Sequence, residues 1–152
     1  MSVMTRAEKA RAFFEAGYNC AQSTAMAFSK DIGLDEKYVA RLISGFGGGF
    51  SLKREICGAV SGITFVMGAL KGYDKPNDLV IKRELYDKVR ALIDQFEEQK
   101  GSLLCREFLG LKKGEFEPVP SERTPEYYKN RPCGELVYQA ARILEDAYFK
   151  ET

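Results

Sequence analysis

Four residues in this chain carry redox or metal chemistry: Cys20, Cys57, Cys105 and Cys133. They are separated by 37, 48 and 28 residues, so no Cys-x-x-Cys pair exists. Spacing alone therefore matches neither a zinc ribbon, nor a thioredoxin-type motif, nor a bacterial ferredoxin run. Histidine is absent. That removes Ser-His and Cys-His nucleophile pairs, His-ligated zinc and the usual general base near neutral pH. Any metal site must draw on Cys, Asp, Glu, Tyr or backbone groups. No residue is marked as catalytic, and a redox carrier or sensor suits the residue types better than a conventional enzyme.

The settings of the cysteines are more telling than their spacing. Cys20 follows Asn19, a candidate helix cap. Cys57 lies near the start of an apolar helical segment. Cys105 comes three residues after Ser102, another candidate cap, and Cys133 follows Pro132. First turns of helices offer free N–H groups and the positive end of the helix dipole, which favour thiolate. Lys53, Arg54, Arg106 and Arg131 add positive charge nearby. The plainer account is that cysteine is often a buried apolar filler. Cys57-Gly58-Ala59-Val60-Ser61-Gly62 puts two glycines on one helix face, which suits close approach of a second backbone or of a cofactor. The run Gly45-Phe46-Gly47-Gly48-Gly49-Phe50 lacks the Gly-Lys-Ser/Thr ending of a phosphate loop and reads as a turn between helices, or as a loop aiming N–H groups at sulfur.

The elements that position these residues are helices. The sequence predicts an all-α, single-domain bundle of about five to seven helices over residues 1–152, with a glycine-rich inter-helix loop. Thr5 and Glu8 form a capping-box pair for the first helix, with Ala12, Phe13 and Ala16 on its apolar side and Gly17 as its stop. Asn19 caps a second helix, and a third covers about 35–44 with Val39, Leu42 and Ile43 inward. The central apolar helix covers about 54–70. A long amphipathic helix covers about 78–99, striped by Leu85, Val89, Leu92, Ile93 and Phe96. A short helix runs from Gly101 and Ser102 to Leu109. Residues 110–131 hold three of the five prolines and read as an irregular covering arm, and Pro132 opens a last helix to about Phe149. Ile63-Thr64-Phe65-Val66 has some β character but sits inside the central helix.

Composition is that of a soluble globular chain: 45% hydrophobic, 30% charged, net charge +1. Nucleic-acid binding is not indicated. The longest apolar stretch, Ile56 to Leu70, has 15 residues including three glycines, short of the roughly 18 a membrane span needs. The N-terminal residues lack the apolar core of a secretory signal, so the expected location is the cytoplasm. Four cysteines in a cytoplasmic chain point to metal or redox chemistry and away from a disulfide scaffold.

At these residues the sequence resembles the C_GCAxxG_C_C family, small bacterial and archaeal proteins grouped as redox-active. The resemblance rests on Gly17 to Ser23, Gly45 to Gly49, Cys57 to Gly62, and the single Cys105 and Cys133, and covers about residues 10–145. It implies that Cys20, Cys57, Cys105 and Cys133 act together. A similar four-cysteine domain occurs in split-Soret cytochromes, which implies an iron–sulfur cluster on four thiolates, with [2Fe–2S] favoured. The Cys-x-x-Cys-His haem signal is missing, so the implied module carries no haem. A cofactor-free thiol–disulfide protein and a structural four-cysteine zinc site are the alternatives. The partner expected is an unidentified redox protein, and the apolar central helix is compatible with a homodimer.

Overall fold

The computed structural model describes residues 3–115 and 120–150, so part of the expected covering arm, including Pro118, lies outside the described residues. The fold is all-α. In chain order the elements are α1 (Arg6–Glu15), α2 (Cys20–Met26), α3 (Ser29–Ile32), α4 (Glu36–Ile43), α5 (Gly47–Phe50), α6 (Gly58–Lys71), α7 (Leu79–Lys100), α8 (Cys105–Phe108), α9 (Pro125–Asn130) and α10 (Cys133–Tyr148). That is more helices than expected, because several are single turns that carry little periodicity. One of them, α9, lies inside the arm read as irregular; Thr124 caps it and Pro125 opens it.

The caps read from the sequence form as expected at two helices. The Thr5 hydroxyl accepts from the Glu8 N–H, and the Glu8 carboxylate accepts from the Thr5 N–H. Asn19 and Gln22 make the same reciprocal pair at α2. The inward face of α1 differs from the reading. Ala7, Ala10 and Phe14 are buried, because they face α10 at helical spacing, while Ala12 and Ala16 are exposed. On α4, Val39, Ala40 and Ile43 are buried, and Leu42 is 48% exposed.

Short α2 sits at the centre, against α1, α4, α6 and α10. Its residues are small, Cys-Ala-Gln-Ser-Thr-Ala-Met, so four helices can close around it. The central apolar segment is helical, α6, with Ile63 and Val66 fully buried as helix residues. It starts later than expected, at Gly58, because the four residues before it are used otherwise. Of the α7 stripe, Leu92 and Phe96 are buried, while Leu85, Val89 and Ile93 are half-buried against the core. Among the described residues no helix is long and apolar enough to cross a membrane.

Candidate thiol redox site

Each cysteine stands at a helix start. Cys20, Cys105 and Cys133 are the first residues of α2, α8 and α10, and Cys57 immediately precedes α6. Two of the expected caps are arranged differently. Pro132 takes the cap position of α10 rather than its first turn. Leu104 precedes α8, and the Ser102 hydroxyl accepts from the Leu104 N–H and donates to Glu107.

The device that joins Cys57 to Cys105 is a short antiparallel pairing. Ile56 bridges Leu104. The Cys57 N–H donates to the Leu103 carbonyl at 2.8 Å, and the Cys105 N–H donates to the Glu55 carbonyl at 2.6 Å. Backbone pairing thus puts Cys57 and Cys105 on adjoining segments although 48 residues separate them. Nothing in the sequence signals it, since an isolated bridge is too short to show alternation.

The glycines supply the remaining approach. A Cβ on Gly58 would lie 2.8 Å from the Ala21 nitrogen and 3.0 Å from the Cys20 Cβ; one on Gly62 would lie 2.6 Å from the Thr24 Cβ. The α6 glycine face therefore rests directly on α2 and brings Cys57 to Cys20. A Cβ on Gly49 would lie 2.7 Å from the Cys105 Cβ. Gly49 belongs to a run from Gly48 to Leu52 whose φ angles are all positive, so α5 is a left-handed turn and not a regular helix.

All four cysteines line one cavity of about 50 Å³. Phe14 and Tyr127 line it too, as do three guanidinium groups, Arg54, Arg123 and Arg131, and among the described residues no carboxylate does. All four thiols are free. Among the described residues no group of three or more His, Cys, Asp or Glu side chains stands as a ready-made metal site. Arg54 Nη1 donates to Cys105 Sγ at 3.6 Å. Arg106 turns away, to Glu55 at 2.8 Å. Tyr18 is outside the cavity wall; Tyr127 takes that place. Arg123 had no sequence signal, because it comes from the arm and is near no cysteine in the chain.

The thiols differ in acidity. Cys133 is lowered from 9.0 to about 7 by the hydrogen bond from Cys20, with Arg131, Arg123 and Arg54 assisting against burial. Cys20 moves well above 9.0, first because it holds the proton it shares with Cys133 and then because its half-buried thiol loses water. Burial pushes Cys57 up to about 12, with the backbone of Ala59 and Val60 in the first α6 turn opposing. Cys105 is raised by burial, with Arg54 opposing. A helix start does not by itself give thiolate here: Cys133 is lowered by Cys20 and the arginines, Cys20 is raised chiefly by Cys133, and burial raises Cys57 and Cys105.

The sequence profile of the family described as "Putative redox-active protein (C_GCAxxG_C_C)" matches residues 18–147. The chain belongs to this family. The C_GCAxxG_C_C match takes in all four cysteines. Its label spells Gly-Cys-Ala-x-x-Gly, and the corresponding stretch here reads Cys57-Gly58-Ala59-Val60-Ser61-Gly62, with the first two residues exchanged. Neither the curated proteins nor the solved structures give a match to the chain.

Proposed function

We propose that this C_GCAxxG_C_C protein is a redox carrier or sensor whose Cys20, Cys57, Cys105 and Cys133 thiolates hold an iron–sulfur cluster, [2Fe–2S] in type. The observation that carries this reading is the shared cavity: four sulfurs from four separate segments, three guanidiniums and, among the described residues, no carboxylate. The residues suit the group. The donor set is entirely sulfur, which soft iron–sulfur centres take. Two thiolates per iron suits sulfurs spread around a wall rather than gathered about one point. The backbone of Ala59 and Val60 at the start of α6 favours thiolate at Cys57, and polar groups beside the sulfurs tune cluster potentials. Arg54, Arg123 and Arg131 offset the negative charge of a four-thiolate centre.

When bound, such a cluster supplies one-electron transfer. The chain's own residues do the rest. Phe14 and Tyr127 keep water from the sulfurs, and Arg54 holds Cys105 in place by its hydrogen bond.

Anaerobically purified protein is expected to be brown, with near-stoichiometric iron and acid-labile sulfide, and replacement of any one cysteine by serine to lower the cluster content. Zinc without colour, or colourless protein after reconstitution, overturns the reading.

A second reading rests on Cys20 and Cys133 lining the same cavity with their acidities driven apart. A lowered thiolate beside a thiol is the arrangement of a disulfide-exchange pair. Cys133 Sγ would attack a partner disulfide and release one partner thiolate. Cys20 would then lose its proton and displace the second, leaving a Cys20–Cys133 disulfide and a reduced partner. Reversible formation of that single disulfide in metal-free protein, seen by mass spectrometry, supports it.

A further inference from the structure

A second recess, of about 430 Å³, adjoins the thiol cavity and shares Asn19, Gly48, Arg54, Arg123, Tyr127 and Arg131 with it. Among the described residues no carboxylate lines it. None of its three guanidiniums is ion-paired among the described residues. Arg123 is already engaged, donating from Nη1 to the Phe14 carbonyl and from Nη2 to the Tyr18 carbonyl. Arg131 spends Nη2 on Ser121 Oγ at 3.4 Å, which leaves other donors of its fork.

Arg54 is the residue that points to a ligand. It is only 6% exposed. One donor, Nη1, reaches Cys105, while its Nε–H is buried without an acceptor among the described residues. Its backbone adopts φ +60°, a conformation disfavoured for a residue with a side chain. A buried cationic donor with no acceptor is unfavourable unless something supplies one.

We propose that this recess binds a small oxyanion, a carboxylate- or phosphate-type group, on Arg54 and Arg131 at the mouth of the thiol cavity. The ligand is a free small molecule, because Arg54 is too deep for the flat surface of a partner protein to reach. Its meaning rests on the redox reading above. An anion bound there adds negative charge beside the thiolates, favours the oxidised form and lowers the potential, and by linkage the oxidised protein binds the anion more tightly.

The test is calorimetric titration of the anaerobically purified protein with inorganic phosphate and, separately, malonate, at ionic strength held constant with chloride. One binding site is expected for at least one of the two. R54Q and R131Q are each expected to weaken it roughly tenfold or more, since each removes a charge-assisted bond. Far-ultraviolet circular dichroism checks that both fold, and the half-exposed Arg131 keeps the test decisive if R54Q does not. No binding at millimolar anion, affinities equal to wild type in both variants, or an equal response to added chloride overturns the proposal. Cys133→Ser should bind the anion as well as or better than wild type. Anion binding by a protein that forms neither cluster nor disulfide would defeat the redox reading and leave this site standing.

Discussion

Cys20 and Cys133 line the same cavity, and their interaction drives their acidities apart, lowering Cys133 to about 7 and raising Cys20 well above 9.0. In metal-free, reduced protein, thiolate absorption in the ultraviolet should therefore develop around neutral pH with the amplitude of a single cysteine. Cys133→Ser is expected to abolish that step, and Cys20→Ala to move it upward, because the donor that stabilises the thiolate is gone. A first step that survives in Cys133→Ser would refute the assignment.

Stability should follow the same thiols, with opposite signs. Cys133 is lowered on folding, so its contribution is complete above pH 9.0 and is lost as pH falls through about 7. Cys57 is raised on folding, so its contribution is complete below pH 9.0 and is lost as pH climbs towards 12. Urea midpoints of the reduced, metal-free protein, compared with Cys133→Ser and Cys57→Ser, measure each effect as a difference. Cys57→Ser should flatten only the alkaline limb, and Cys133→Ser only the limb between 9.0 and 7.

Much of this site is legible in the chain. Asn19 with Gln22 and Thr5 with Glu8 are local caps, and local hydrogen bonds can be read from spacing three apart. That Cys20 opens a helix follows from the same signal, while Ser102 and Pro132 mark the starts at Cys105 and Cys133 without taking the positions expected of them. The pairing of 54–57 with 103–106 is not legible, because its partners are distant and it is too short to show a period. Arg123 is not legible either, since only tertiary packing of the arm carries it to the cavity. The acidity order is the third omission. Helix position is written in the sequence, but burial, which decides Cys57 and Cys105, and the Cys20–Cys133 proximity, which decides the other two, are not.

Gly58 and Gly68 lie on the same helix and should respond oppositely to alanine. Either replacement gains up to about 1 kcal/mol of helix propensity. At Gly68 a Cβ meets nothing within 4 Å, so that gain should appear as a higher urea midpoint. At Gly58 the Cβ meets the Ala21 backbone nitrogen at 2.8 Å, which cannot swing aside as a side-chain end could. Pushing α6 from α2 should cost about 1–3 kcal/mol, which outweighs the propensity gain. It should also part Cys57 from Cys20 and lower cluster content. A Gly58→Ala protein as stable as wild type would show that the α2–α6 contact is looser than the structure has it.

Arg123 fastens the arm over the cavity by a fork and a stack. Its two terminal nitrogens reach the Phe14 and Tyr18 carbonyls at 3.2 and 3.0 Å, and its guanidinium lies 4.4 Å from the centre of the Phe14 ring and 4.7 Å from that of Tyr127. Lysine keeps the charge but cannot bond both carbonyls while stacking on the rings. Arg123→Lys should therefore lose about 1–3 kcal/mol, the cost of carbonyls left without donors. Amide exchange in residues 120–131 should quicken, while the Cys133 step stays near pH 7. Arg123→Gln removes the charge as well, so the same faster exchange should come with an upward shift of that step. If both variants moved the Cys133 step equally and left amide exchange untouched, Arg123 would act on the thiolate by charge alone and the fork would hold nothing down.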